Sequence, residues 1–438
     1  MTHHKFTQLA AALAVGLSGS YASAAGFQLL EQNLSGLGNA YAGSAAVAEN
    51  ASTIFFNPAG MTQLKDREFS GGMAVISPSF KFTNNGSSVG QLGTAGTGGD
   101  AGRTGYVPNA YMSWALDKDL YVGAGFSAPF GLKTEFSTPW VGSAQANSFD
   151  VKTYNFNPSV AYRVNDAVSV GGGISWQRLE AEYKRAVAVG VVGVPATAVF
   201  PASPLTATIS GESVGWNVGA LFKLSSDSKV GVSYRSRVDY DLKGDISVTG
   251  PSGAVNAGGS SGAKASLTLP DTFILSGTHR LSNKWELLGD LAFTGWSSIP
   301  KLDLVRTTAT TTAAAGSVAQ TLDTDFRDTW RLAVGANYRY ADDLTLKFGI
   351  AFDQAPVKGT STRLVSLPDN DRTQLAAGAQ WKLSSGATLD LGVSYLFIDK
   401  ASIDNNQASA TQTQNRGRVT GSFDGSAWIL GAQYSVPF

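Results

Sequence analysis

Residues 389 to 397 read Leu-Asp-Leu-Gly-Val-Ser-Tyr-Leu-Phe, and this alternation restricts the chain more than any other feature. One face of such a segment carries Leu389, Leu391, Val393, Tyr395 and Phe397; the other carries Asp390, Gly392, Ser394 and Leu396. A period of two is the signature of a β-strand, whose successive side chains leave opposite faces. The same period places Leu344, Leu346, Phe348, Ile350 and Phe352 opposite Thr345, Lys347, Gly349, Ala351 and Asp353. Between 330 and 340 it sets Trp330, Leu332, Val334, Ala336, Tyr338 and Tyr340 against Arg331, Ala333, Gly335, Asn337 and Arg339. In a soluble sandwich the apolar faces would be the core. Trp and Tyr at the ends of these faces point instead to a lipid-facing band between interfacial girdles.

The connections alternate as regularly as the side chains. Short polar turns fall at 117–119, 165–166, 225–228, 282–284, 342–343 and 384–386. Longer irregular stretches fall near 83–104, 134–147, 186–210, 249–262, 307–321, 354–370 and 399–420. Six turns and seven loops make thirteen connections and therefore fourteen strands. An even strand number, with short turns on one side and long loops on the other, is the pattern of bacterial outer-membrane barrels. The expected fold is all-β, a transmembrane antiparallel β-barrel spanning 67–438.

The beginning of the chain agrees. Lys5 lies in a polar region, Leu9 to Leu17 are apolar, and Ala22-Ser23-Ala24 offers a small-residue cleavage pattern, so 1–24 reads as a secretory leader. Removing it leaves 414 of 438 residues and one fewer positive charge than the 33 of the whole chain, against 33 negative. No basic surplus invites nucleic acid. Charged residues make up 15%, well below the roughly 25% of soluble domains. Cysteine is absent, which excludes disulfides and thiol chemistry. At the other end Trp428, Leu430, Ala432, Tyr434, Val436 and Phe438 share one face. A terminal aromatic on such a strand resembles the signal read by the barrel-assembly machinery.

Residues 25–66 do not alternate. Small residues (Gly36, Gly38, Gly43, Ala45, Ala46 and Ala48) precede a rigid Asn57-Pro58-Ala59 turn. A disordered tail would be more charged and less apolar, so a plug folded inside the lumen is expected. Two further segments stand out. The stretch from 186 to 206 is unusually apolar for a surface connection, and Val191, Val194, Val199 and Phe200 are its candidate ligand contacts. It reads equally as a self-packed loop or as two extended strand ends. In the third strand, Leu120 to Lys133, Ser127-Ala128-Pro129-Phe130-Gly131 combines a residue lacking a ladder donor with one that weakens strands. The segment is either a gap in the wall or the strand's outer end.

Several motifs resemble one family together. Ala25-Gly26-Phe27-Gln28-Leu29, Ser35-Gly36-Leu37-Gly38-Asn39-Ala40 and Asn57-Pro58-Ala59 look like the start of FadL-type outer-membrane transporters of long-chain fatty acids and other hydrophobic compounds. Phe130-Gly131-Leu132-Lys133, Leu269-Pro270, Thr294-Gly295-Trp296-Ser297, Arg327-Asp328-Thr329-Trp330-Arg331 and Leu367-Pro368-Asp369-Asn370-Asp371-Arg372 continue the likeness in order, over nearly the whole mature chain. The resemblance implies a monomeric fourteen-stranded barrel in outer-membrane lipid, an N-terminal hatch, and diffusion without a cofactor. It also implies an outer ligand groove, a lumenal pocket, and release through a kink in the third strand. Arg185 aligns with a cation that the family uses near its pocket; Lys301 and Arg306 lie near a second such position in a looser alignment. Arg331, Arg339 and Lys347 face the expected lumen, where Asp290, Asp353, Asp371 and Asp390 would pair with them.

Three rival functions remain to weigh. A Ser-His enzyme would depend wholly on His279, the one histidine after the leader, so no catalytic or metal site is expected. A water-filled porin conflicts with a plug. An uptake channel for aromatic hydrocarbons or other neutral hydrophobic substrates fits the same architecture and is the alternative to fatty acids.

Overall fold

The computed structural model describes residues 26–88, 95–190, 199–250, 253–408 and 416–438, with the backbone alone at 188–190 and 199–202. The expected leader therefore lies outside the described residues. The first six strands are Arg67–Asn84, Gly105–Ala115, Leu120–Ser127 continuing as Gly131–Glu135, Ser148–Arg163, Val168–Gly190 and Val199–Lys223. Four interrupted strands follow: the seventh is Ser228–Arg235 with Val238–Val248, and the eighth Ser261–Leu269 with Thr272–Arg280. The ninth is Trp285–Thr294 with Lys301–Arg306, and the tenth Val318–Asp323 with Thr329–Arg339. Leu344–Asp353, Arg372–Lys382, Thr388–Asn406 and Arg418–Pro437 complete fourteen. Each strand pairs antiparallel with its neighbour, and the first pairs with the last from Glu68↔Pro437 to Asn84↔Gly421. This closes the barrel, leaving no sheet edge in lipid and satisfying backbone groups that water cannot reach there.

The alternation seen in the sequence sorts the wall as expected. Leu391, Val393 and Phe397 point outward and are exposed, whereas Asp390, Ser394 and Leu396 are buried. Outward aromatics collect in two belts, with Trp114, Tyr162, Trp285 and Tyr340 at the short-turn end and Trp176, Trp216, Trp330 and Trp428 towards the long loops. Belts at both edges of an apolar band are what two membrane interfaces select. Two expectations are corrected by length. In the apolar 186–210 stretch the described residues are strand: the fifth strand runs on to Gly190 and the sixth begins at Val199, with Arg185 opposite Leu205 and Gly190 opposite Val199, which is the alternative of two extended strand ends. Likewise half of 399–420 is strand, since the thirteenth strand runs on to Asn406 and the fourteenth starts at Arg418.

Residues 26–66 fill the lumen with short turns rather than long helices: Leu37–Asn39, Thr53–Phe56 and Pro58–Gln63. Glycines on the inner wall let them approach the strand backbone. A Cβ on Gly349 would stand 2.1 Å from Asn39 C, and one on Gly231 would stand 2.0 Å from Ala45 O. Wall charges reach the same segment. Asp290 accepts from Gly43 N at 2.8 Å and Ser44 Oγ at 2.5 Å. Arg331 donates to Ala40 O at 2.6 Å. Lys347 donates to Ser35 O at 2.9 Å and pairs with Glu49 at 2.7 Å and Asp390 at 3.3 Å. The expected pairing among lumenal charges thus holds for Lys347 and Asp390. By contrast, Asp290 and Arg331 address the inner segment's backbone, where amides and carbonyls left by short turns need partners. Arg339 is exposed at the short-turn end and Asp371 pairs with Arg327, so neither joins a lumenal network.

Candidate functional site

Two cavities lie above and beside the inner segment. The upper one is apolar throughout, walled by Phe149, Val151, Leu179, Ile209 and Leu242 among others, with about 550 Å³ of empty space including its open ends. The lower one, about 1000 Å³ on the same measure, mixes Leu29, Phe55 and Phe56 of the inner segment with Arg235, Asp290, Arg331 and Asp353 of the wall. Apolar walls with a few convergent polar groups are the usual make-up of a ligand pocket. Phe27 lines the upper cavity, and Phe130 and Trp296 line the lower. Their rings meet at 5.8 Å (Phe27–Phe130), 5.1 Å (Phe27–Trp296) and 6.1 Å (Phe130–Trp296), with Phe326 5.9 Å from Trp296. An aromatic plug therefore separates the chambers. Gly26 fits beside it because its φ is +64° and an added Cβ would fall 2.7 Å from the Trp296 ring.

The third strand breaks at 128–130, within the expected Ser127-to-Gly131 stretch. Phe130 still bonds the fourth strand, its N–H donating to Thr153 Oγ1 at 2.8 Å and its carbonyl accepting from Thr153 N at 3.1 Å. Its neighbours turn to the lumen. Pro129 O accepts from Leu29 N, and Gly131 N donates to Phe27 O, both at 2.8 Å. Gln32 Nε2 adds a bond to Ala128 O at 2.8 Å, and Asn155 Nδ2 donates to Ser127 Oγ at 3.1 Å. The inner segment thus lies along the break as a short extra strand, with Gln28 opposite Phe130. Its start is pinned by Gly26 N donating to Asp369 Oδ2 at 2.7 Å, and Asp369 also pairs with Arg372. Asp369 lies in the connection after the eleventh strand. Burial raises its carboxyl above the usual range even with the Arg372 guanidinium beside it.

Farther down, Asn57 acts as a clip. Its Nδ2 donates to Ala45 O at 2.7 Å and to Ala220 O on the sixth strand at 3.0 Å, while its Oδ1 accepts from Ala59 N at 3.1 Å. Pro58 begins the turn that follows, and Ala59 packs where a Cβ on Gly171 would stand 2.6 Å from its nitrogen.

The proposed ligand residues scatter. Arg185 is buried on the inner face, donates weakly to Ala144 O and Ala186 O at 3.5 and 3.4 Å, and has an unsatisfied Nε. The like charges of Arg416 and Arg306 bear on it. Arg306 is half-buried and donates to Ser261 Oγ at 2.7 Å. Lys301 is not with them: it is exposed outside the wall and pairs with Asp303 at 2.7 Å. Its odd number places it on the outward face of the ninth strand, opposite in parity to Arg306. Val191 and Val194 lie outside the described residues. Val199 and Phe200 pair as backbone with Gly190 and Val189. Reasoning from the sequence overlooked Trp296 and Phe326, although Trp296 stands inside a quoted motif, and it overlooked Arg235, whose guanidinium lies 4.2 Å over the Phe55 ring.

With this geometry in view, known proteins can be compared. Residues 15–438 match the family model for outer membrane protein transport proteins (OMPP1/FadL/TodX). A long-chain fatty acid transport protein of Escherichia coli is 32% identical, with 99% of each chain covered, and outer membrane protein P1 of Haemophilus influenzae is 31% identical over 90% of each. Among solved structures, a Pseudomonas aeruginosa FadL homologue superposes with a TM-score of 0.82 at 23% identity, covering 94% of this chain and 99% of that one. The Ralstonia pickettii toluene transporter TbuX reaches 0.65 at 17%, covering 92% and 98%. The closed fourteen-stranded wall, its filled lumen and these matches agree: the chain belongs to the OMPP1/FadL/TodX family and is a transport protein of the outer membrane.

Proposed function

We propose that this protein lets long-chain fatty acids or comparable hydrophobic molecules diffuse across the outer membrane, from the apolar chamber past Phe27 to an exit at the third-strand break. One observation carries the reading: residues 27–29 are hydrogen-bonded into that break while Phe27 lines the chamber above it. A ligand that fills the chamber displaces Phe27. Because Phe27 O and Leu29 N are the groups bonded to Gly131 and Pro129, the same movement unseals the wall. No energy source is needed where burial of apolar surface drives binding and dilution drives release. Pro129→Val with Gly131→Val favours a continuous strand and should slow uptake about tenfold while purified protein still binds ligand. Unchanged uptake in cells would exclude the break as the exit.

The relatives are named for two cargo classes, long-chain fatty acids and toluene, and both suit this barrel. Buried Arg185, which makes no ion pair among the described residues, favours a carboxylate head group, as a desolvated guanidinium is best matched by one. The wholly apolar chamber favours a neutral cargo equally well. Arg185→Gln separates them: oleate uptake should fall and toluene uptake should not. Equal loss of both would remove the carboxylate from the proposal.

A further inference from the structure

The third strand is not the only place where the wall is incomplete. The eighth and ninth strands pair from Arg280↔Glu286 up to Thr272↔Thr294, then resume only at Lys264↔Val305 and Ala263↔Arg306. Between these points residues 265–271 face residues 295–304. Gly295 N donates to Asp271 O at 3.0 Å at the lower end, and Ser298 Oγ donates to Thr268 O at 2.9 Å midway, so the part without a described bond lies between 265–267 and 299–304. Both sides are nevertheless strands held from behind. Ala265 to Leu269 pair with the seventh strand, and Lys301 to Leu304 with the tenth. The result is a slit between two strand edges.

The side chains at the slit differ from those of a closed wall. Were the upper register continued, Leu267 would oppose Leu302 and Ser266 would oppose Asp303. Both leucines have the inward parity of buried Leu269 and Leu304, yet both are only partly buried, and both line the apolar chamber. The outward residues beside them, Lys264, Ser266, Lys301 and Asp303, are polar or charged. Below the slit the lipid-facing side chains are Phe293 and Trp330, and immediately above them come Asp271, Ser297 and Asp328. Unpaired strand edges are costly in hydrocarbon. The slit therefore sits above the apolar band, in the layer of lipid head groups and sugars at the cell surface.

We propose that this slit is a lateral port by which apolar molecules, alkyl chains or aromatic rings, enter the upper chamber from the cell-surface layer. The proposal rests on the transport reading above and gives that route its beginning. The two wall defects lie on opposite sides of Phe27. Leu267 and Leu302 line the chamber above it, and Pro129 and Phe130 line the cavity below. The third-strand break is sealed by the inner segment, whereas the described contacts of the slit come from the wall itself. Admission through one and release through the other would make the passage directional in space, with the aromatic plug between.

Since the chain has no cysteine, the slit can be stapled cleanly. Ser266→Cys with Asp303→Cys, bridged by a short bifunctional methanethiosulfonate, should lose about tenfold of the uptake rate for both sodium oleate and toluene, and regain it on reduction. Each single variant treated alike should transport normally, which controls for the lost Lys301–Asp303 pair. A bridged protein that transports like the unbridged one overturns the port. Where the pair does not bridge, the Leu267→Cys thiol decides. A membrane-impermeant maleimide should label it on intact cells, and oleate should slow the labelling; no labelling, or labelling that oleate leaves unchanged, also overturns it. If the wild-type protein raises neither oleate nor toluene uptake over cells lacking it, the transport reading fails instead. If bridging blocks uptake but Pro129→Val with Gly131→Val does not, the port stands and the exit is elsewhere.

Discussion

Asp369 shows how one side chain can govern the inner segment. Its carboxylate holds Gly26 N at 2.7 Å and pairs with Arg372, in surroundings where burial favours the neutral acid. Its folded pKa lies above the ordinary 3.8 of an aspartic acid, so between those two values the folded protein binds more protons than the unfolded chain. Stability from this group is then greatest below 3.8 and declines as pH rises through the folded value. The local bond behaves oppositely, because protonation removes the charge that strengthens the contacts to Gly26 and Arg372. Mild acidification should therefore loosen the start of the inner segment while the barrel gains stability. A spin label at position 28 would report greater motion on acidification within that window in the wild type and no pH response in Asp369→Asn. An immobile label throughout would contradict the anchor. Single residues also mark the limits of sequence reading. Arg185 was legible only through the family resemblance, as a cation aligned with one near the pocket; its inward burial came from the fold. Lys301 rests only on a loose alignment with the family, and the structure puts it on the outward face of the ninth strand, paired with Asp303.

At the scale of elements, the inner segment and the wall fit because glycine lies where each turn touches a strand. Gly349 faces Asn39, Gly231 faces Ala45 and Gly171 faces Ala59. Gly349→Val would place a branched side chain where Asn39 C lies 2.1 Å from the first added carbon. That exceeds ordinary overpacking, which costs about 1–3 kcal/mol, so the segment should undock locally rather than compress. The barrel should still assemble, and planar-bilayer recordings should show a steady open conductance that the wild type lacks. Absence of leakage would show that the segment can repack. These glycines were visible in the sequence as strand residues of no assigned purpose, since only the docked segment explains them. The interruptions of the eighth and ninth strands fall at Pro270 and between Gly295 and Pro300, whereas those of the seventh and tenth contain neither residue type, and local signals do not tell a bend from an opening.

For the whole molecule, closure is the dominant fact, and it joins the two ends of the chain. The first strand lies on the fourteenth along its full length, yet Phe438 itself adds only a bond from its N–H to Arg67 O at 3.1 Å and a largely exposed ring. Deleting Phe438 should hardly move the thermal midpoint of assembled barrel but should lower the assembled amount several-fold, read by heat-modifiable mobility on gels. An equal loss of stability would make the residue structural rather than a signal to the assembly machinery. Strand number, wall polarity and the outer-membrane setting were all present in the sequence, because alternation and connection length are local properties that lipid translates directly into inside and outside. The order of short turns and long loops likewise determined which end faces the cell surface. Only the tertiary structure decided what the lumen does. Which strand edges remain unpaired, which aromatic rings meet at the plug, and which wall groups bond the inner segment depend on residues hundreds of positions apart, brought together by a register and a shear that no single stretch of sequence encodes.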